Sequence, residues 1–140
     1  IKYFSVAGRG KAINPAPCIG QDEGGIVFGL GHTLYEEMVY EDGQLLNPNL
    51  ADYRVPTIRH LPKDMTSVLL ENANGPGPFG SKGMGEGGLL PVASAIGNAV
   101  AQATGVRIYD LPLTPAKVWR ALEGKKKNSE GRIQNSEVGI

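Results

Sequence analysis

A single cysteine, Cys18, in a chain of 140 residues has no partner for an internal disulfide. It also leaves too few thiolates for an iron–sulfur cluster or a cysteine-built zinc site. A reducing, cytoplasmic setting is the expectation. Net charge is missing as well: fourteen basic side chains balance fourteen acidic ones, so no global field draws in nucleic acid or an anionic membrane. No run of about 18 apolar residues occurs, and no basic stretch leads into an apolar one, so neither a membrane span nor a secretory signal is legible. A starting methionine is absent too. Opening at Ile1 fits a processed or trimmed piece, or the back half of something longer.

What is present is ordinary globular material. Hydrophobic residues make up 41% and charged ones 20%, enough for one core of moderate size in one domain. The opening "IKYFSVAG" is rich in β-forming types and reads as a strand ending at Gly8 and Gly10. After "INPAP", the apolar residues Ile19, Ile26, Val27, Leu30, Leu34 and Met38 follow helical spacing. Gln21, Asp22, Glu23, His32, Glu36 and Glu37 fill much of the polar remainder. Asp42-Gly43 between two short strand-like runs is a hairpin signal. The proline-dense stretch from Asn47 to Asp64 predicts an irregular connection, and "TSVLLE" a short buried strand. Leu89, Val92, Ile96, Ala99, Val100 and Ala103 mark a second helix with Gly105 as its stop. Thr114 as N-cap and Pro115 at the first turn announce a third, packed through Trp119 and ending at Gly124. Residues 1–124 thus form the domain portion. Residues 125–140 are a polar, aperiodic tail, expected to be disordered or to lie on a neighbouring subunit.

Glycine is where the composition departs from the ordinary. Gly20, Gly24, Gly25, Gly29 and Gly31 lie in the first helix, and each costs on the order of 0.5–1 kcal/mol there relative to alanine. Something must require a close approach: either tight packing against another element, or a backbone surface laid against a bulky ligand. Seven more glycines fall between Asn74 and Gly88, where absent side chains let backbone N–H groups converge on an anion ahead of a helix. The loop is not a P-loop, because Gly83 rather than Ser or Thr follows Lys82, and the dinucleotide fingerprint is weak.

One carboxylate, Glu86, sits in this run. The helix dipole favours its ionised form and burial beside an apolar pocket would oppose it, so it suits a general base. A plain cap for backbone N–H groups is the equally open alternative. Lys82 suits a ligand phosphate, an ion pair with Glu86, or simple solvation. His32, His60 and Cys18 lack the partners a metal or nucleophilic site needs, and Asp52-Tyr53-Arg54 reads as a local packing cluster.

Five segments in order, "INPAPCIGQDEGGIVFGLGHTLYEE", "LNPNLADYRVPT", "GPFGSKGMGEGG", "AIGNAVAQATGVRI" and "LPLTPAKVWRALEG", closely resemble the C-terminal part of the molybdenum-binding subunit of the xanthine dehydrogenase and aldehyde oxidase family. The resemblance covers residues 1–124. It implies an α+β fold, a small mixed sheet packed by two or three helices, within a larger molybdopterin-binding domain. It also implies an oxidoreductase that inserts a water-derived oxygen at an electron-poor carbon of a heteroaromatic, purine-like or aldehyde substrate. In that family the glutamate of the "KGxGE" motif, here Glu86, is the general base that deprotonates the Mo–OH group. Ser81, Lys82, Gly83, Met84 and Gly85 map onto the loop that holds the pterin and its diphosphate. Gln21 maps onto the glutamine that approaches the metal's ligands, and Gly20 and Gly24 would lie close to the cofactor. The cofactor implied is molybdopterin with Mo, in the cytosine dinucleotide form for a bacterial source. Iron–sulfur clusters and FAD belong to partner chains or domains, beside the rest of the large subunit.

Many relatives carry two prolines after the glutamate where this chain has Gly87-Gly88. The rest of the large subunit is absent from the sequence, so this piece alone is expected to be inactive. Two other readings stand beside this one. The first is a non-catalytic fragment or subunit without bound cofactor. The second is a phosphate-binding module for an ordinary nucleotide, against which the missing P-loop chemistry argues.

Overall fold

Strand β1 (Lys2–Gly10) alternates, with Tyr3, Ser5, Ala7 and Arg9 on its more buried side. It pairs in parallel with β4 (Asp64–Glu71), from Lys2 opposite Asp64 to Gly8 opposite Leu70. The computed structural model describes residues 2–137. Parallel neighbours need a crossover, and helix α1 (Pro15–Leu34) lies within it. The two-residue strands β2 (Tyr40–Glu41) and β3 (Gln44–Leu45) form a separate hairpin about Asp42-Gly43. Both turn residues are left-handed, as the primed hairpin turn requires. Parallel and antiparallel pairs therefore occupy two small sheets.

Proline is tolerated in a first helical turn, and Pro15 opens α1 there. The stripe Asp22, Ile26, Leu30 faces inward, and Ile26 and Leu30 pack with Val92 of α2 (Val92–Thr104) as the centre of the core. The helix stops at Leu34, short of the Met38 that periodicity suggests. The Gly31 carbonyl accepts both the Tyr35 and the Glu36 N–H, each at 2.9 Å. The second bond spans five residues, which unwinds the helix. Tyr53, read locally from the sequence, instead donates its hydroxyl to Glu36 Oε2 at 2.6 Å.

Gly105, at φ 67, closes α2 with its N–H on the Ala101 carbonyl at 2.8 Å. Helix α3 (Pro115–Glu137) starts at a true N-cap, the Lys117 N–H donating to Thr114 Oγ1 at 3.3 Å. It runs through Gly124 rather than ending there, so residues 125–137 continue the helix, while 138–140 lie outside the described residues. One glycine costs a helix only about 1 kcal/mol. Lys125 Nζ moreover donates to the carbonyls of Thr104 and Gly105, at 3.2 and 3.3 Å, which ties α3 to the end of α2. Trp119 is exposed, contrary to its expected packing role, and Val118 and Ala121 are the half-buried side of α3.

Strand β4 is not the buried strand that "TSVLLE" suggests. Met65, Ser67 and Leu69 turn inward, whereas Val68 and Leu70 share the opposite face with Phe4 and Val6 and are 40–66% exposed. Parallel sheets are normally covered on both faces. This one is covered on the α1 side alone. Among the described residues six apolar side chains are buried and eighteen large ones are exposed, Phe4, Val6, Val68 and Leu70 on this face among them.

Candidate functional site

The glycine loop is fastened to the end of β1. The Lys82 N–H donates to the Arg9 carbonyl and the Lys11 N–H to the Gly80 carbonyl, both at 3.0 Å, around a bridge between Gly10 and Ser81. Within the loop, Gly75 N–H bonds Gly80 O at 2.8 Å and Gly77 N–H bonds Ser81 O at 3.0 Å. Gly80 is left-handed at φ 77, and a Cβ there would run into the Ala73 carbonyl, so no other residue fits. Gly75, Gly77, Gly80 and Ser81 thus spend their donors inside the loop, and Lys82 spends its own on β1. The broad cradle suggested by seven glycines narrows mainly to the run from Gly83 to Gly87, whose N–H groups, like that of Phe79, have no acceptor among the described residues. A Cβ at Gly83 or Gly85 would meet nothing within 4 Å.

Helix α1 brings a second group to this place. Gln21 Nε2 donates to the Gly85 carbonyl at 3.2 Å. Gly20 and Gly24, on the same exposed stretch of α1, have nothing within 4 Å of a hypothetical Cβ. Gly25 and Gly29 differ. A Cβ at Gly25 would sit 3.1 Å from the Leu89 nitrogen, and one at Gly29 would sit 2.5 Å from Val92 Cβ. Tight packing therefore explains the inner glycines of α1. No neighbour among the described residues explains Gly20 and Gly24.

Glu86 opens a short 3₁₀ turn, Glu86–Gly88, one turn ahead of α2 rather than at its N-terminus. Its carbonyl accepts the Leu89 and Leu90 N–H groups at 2.9 and 3.3 Å. Its carboxylate is exposed and makes no hydrogen bond or ion pair among the described residues. The capping alternative is thus not realised, and neither is a pair with Lys82. Below the turn lies Asp22, which residue type alone places among the polar residues of α1. Asp22 is 1% exposed, its Oδ1 is 3.5 Å from Arg9 Nη2, and its Oδ2 accepts the Ser67 hydroxyl at 2.7 Å. The signal was available, since Asp22 stands four residues before Ile26 and eight before Leu30, on the core stripe.

Two titrating groups report on the same framework. Burial, with the Asp22 carboxylate beside it, pushes the Tyr3 phenol up. Glu71 is held below the usual carboxylate range by hydrogen bonds from Lys11 Nζ, at 2.8 Å, and from the Ala12 N–H, at 3.3 Å. It thereby clamps the end of β4 to the chain entering α1. Cys18 is a free, half-buried thiol. His60 accepts the Thr57 N–H at 2.9 Å and lies against the Tyr35 ring, with ring centres 4.9 Å apart.

Residues 1–62 match the family model of the molybdopterin cofactor-binding domain. The xanthine dehydrogenase molybdenum-binding subunit of Escherichia coli is 41% identical over 120 residues, which is 84% of this chain and 16% of that protein. The nicotine 6-hydroxylase large subunit of Paenarthrobacter nicotinovorans is 38% identical over 135 residues, covering 88% of this chain and 15% of that one. Among solved structures, quinoline 2-oxidoreductase from Pseudomonas putida 86 superposes with a TM-score of 0.76 at 37% identity, over 86% of this chain and 16% of its own. The fold and these likenesses define a segment of a molybdopterin-binding domain. The chain belongs to the molybdenum hydroxylase family that includes xanthine dehydrogenase, and it spans about one sixth of the relatives it matches.

Proposed function

We propose that this chain completes the molybdopterin site of a molybdenum hydroxylase, in which Glu86 is the general base for oxidation of a heteroaromatic, purine-like or aldehyde carbon. One observation carries the reading. An unpaired, exposed carboxylate stands within a run of backbone N–H groups without acceptors among the described residues, Gly83 to Gly87, on a loop that Gln21 ties to α1.

The residues fit the cofactor the family implies. The free N–H groups of Gly83, Met84 and Gly85 would take pterin or phosphate oxygens, with Ser81 and Lys82 beside them. The bare backbone at Gly20 and Gly24 leaves room for a flat ring system. When bound, the cofactor supplies the two-electron redox chemistry that no side chain here can perform. Glu86 would accept a proton at its carboxylate from the oxygen nucleophile as that atom attacks the substrate carbon. Its reach must then close to roughly 2.6–3.2 Å.

The bare face of the β1–β4 sheet and the one-sixth coverage support a piece that is inactive by itself. The rest of the molybdenum-binding subunit would cover that face, and iron–sulfur and flavin subunits would carry the electrons away. Bacterial relatives favour the cytosine dinucleotide form of the cofactor, and a lone free thiol suits a cytoplasmic assembly.

Glu86→Gln in the complete enzyme keeps the shape and removes the base. Turnover should fall by about 10²–10⁴-fold with molybdenum content unchanged; turnover near the unmodified rate would sink the assignment. Absence of molybdenum and pterin from the correctly folded native assembly would favour a non-catalytic scaffold.

A further inference from the structure

We propose that Arg9 and Asp22 form a positioning pair, the floor on which the Glu86–Gly88 turn rests, so that this pair sets where the Glu86 carboxylate stands. The proposal rests on the reading of Glu86 as the base.

Four elements meet at this pair: Arg9 from β1, Asp22 from α1, Ser67 from β4, and the turn itself. The Arg9 side chain is 11% exposed and that of Asp22 1%. A buried ion pair is a poor stability device, because well-packed apolar residues of similar volume do as well or better. Its use must lie elsewhere. The Nη2–Oδ1 separation of 3.5 Å is long for a charge-assisted hydrogen bond, which runs at about 2.7–2.9 Å. Arg9 Nε and Asp22 Oδ1 are buried with no hydrogen-bond partner among the described residues. The two groups are thus not arranged to optimise each other, and the buried Nε is closed to a ligand.

They are arranged against the turn. A Cβ built at Gly87 would lie 2.7 Å from both Arg9 Nη1 and Nη2. One at Gly88 would lie 2.5 Å from the Asp22 carbonyl oxygen and 2.8 Å from Asp22 Oδ1. The glycine pair after the glutamate is therefore the form that lets backbone lie flat on a guanidinium and a carboxylate. A side chain at Gly88 would meet the Asp22 backbone carbonyl and lift the turn and Glu86 with it, whereas one at Gly87 would first displace the Arg9 guanidinium. Arg9 also acts at a second point, because its own carbonyl accepts the Lys82 N–H at 3.0 Å. One residue thereby fixes both the entry of the Lys82–Gly85 segment, through its backbone, and the floor beneath its exit, through its side chain.

The test is made in the complete enzyme. An apolar replacement of similar volume, Arg9→Met with Asp22→Leu, removes the floor while keeping the interior filled. Molybdenum content and amide protection over Ile26–Leu30 should persist, while exchange in the peptide carrying the Leu89 and Leu90 amides speeds by about tenfold or more. kcat should fall with KM unchanged, and Arg9→Lys, which keeps the charge, should recover most of both. Unchanged exchange at the turn with unchanged kcat overturns the proposal. So does exchange that rises uniformly through α1 and β4 as molybdenum is lost, the mark of a merely structural pair. If the double variant does not fold, Asp22→Asn carries the same readouts. The turn's exchange is read independently of Glu86. Lost protection there, beside a Glu86→Gln enzyme that still turns over, would support the floor and remove only the base assignment.

Discussion

Gln21 on α1 and Gly85 in the glycine loop are joined by one hydrogen bond, Nε2 to carbonyl oxygen at 3.2 Å, directly before Glu86. The helix that packs the core therefore also steadies the loop next to the carboxylate. A neutral hydrogen bond of this kind contributes about 1 kcal/mol. Gln21→Ala in the complete enzyme should lower turnover roughly fivefold, with molybdenum retained. Complete loss of molybdenum would show instead that the amide's chief contact is the cofactor.

The glycines of α1 divide into two kinds, and alanine separates them. At Gly29 the new methyl would meet Val92 at 2.5 Å, an overpacking that costs about 1–3 kcal/mol. At Gly24 it meets nothing, so the helix gains about 0.5–1 kcal/mol. If the surface at Gly24 receives the pterin, Gly24→Ala should leave α1 more protected against amide exchange while cofactor content falls. Normal cofactor content in this variant would remove Gly24 from the cofactor surface. Gly29→Ala should lower the melting temperature, and an unchanged value would contradict the packing described.

Glu71 releases its proton more readily folded than unfolded, since Lys11 and the Ala12 N–H hold it below its ordinary value of 4.5. Its contribution to stability is present above that value and lost as pH falls through the lower folded one. Glu71→Gln should flatten the acid limb of a denaturation-midpoint series taken downward from pH 4.5. Parallel acid limbs for the two proteins would refute the clamp.

The sequence carries the helix starts and stops well where one local device decides them. Thr114 and Gly105 act through a side-chain cap and a left-handed backbone, and both hold in the structure, whereas α1 begins at Pro15, ahead of the Ile19 where the apolar spacing starts. It misleads where a distant contact decides. Met38 fits the period of α1, yet the Gly31 carbonyl closes the helix before it. Gly124 looks like a stop, yet Lys125 reaches back to α2 and the helix continues. Trp119 and "TSVLLE" look buried because apolar residues usually find cover, and among the described residues nothing covers Trp119, Val68 or Leu70. At the site, the loop and Glu86 stand out by composition. The burial of Asp22 required noticing that an acid shares the stripe of Ile26 and Leu30, and its meeting with Arg9 required the register of β1 beside β4.

That register has a consequence for how the protein comes into being. Lys2 pairs with Asp64 and Gly10 with Glu71, so the first strand leaves the ribosome long before its neighbour is synthesised. Contacts so distant along the chain form slowly and leave strand edges open meanwhile. The loop that ends in Glu86 hangs from β1 through the Arg9 and Lys11 backbone bonds. Its shape therefore waits on that late pairing. Cofactor insertion would follow completion of this small sheet and of the loop made after it, so an assay of metal loading on nascent chains should find none before Glu86 has been added.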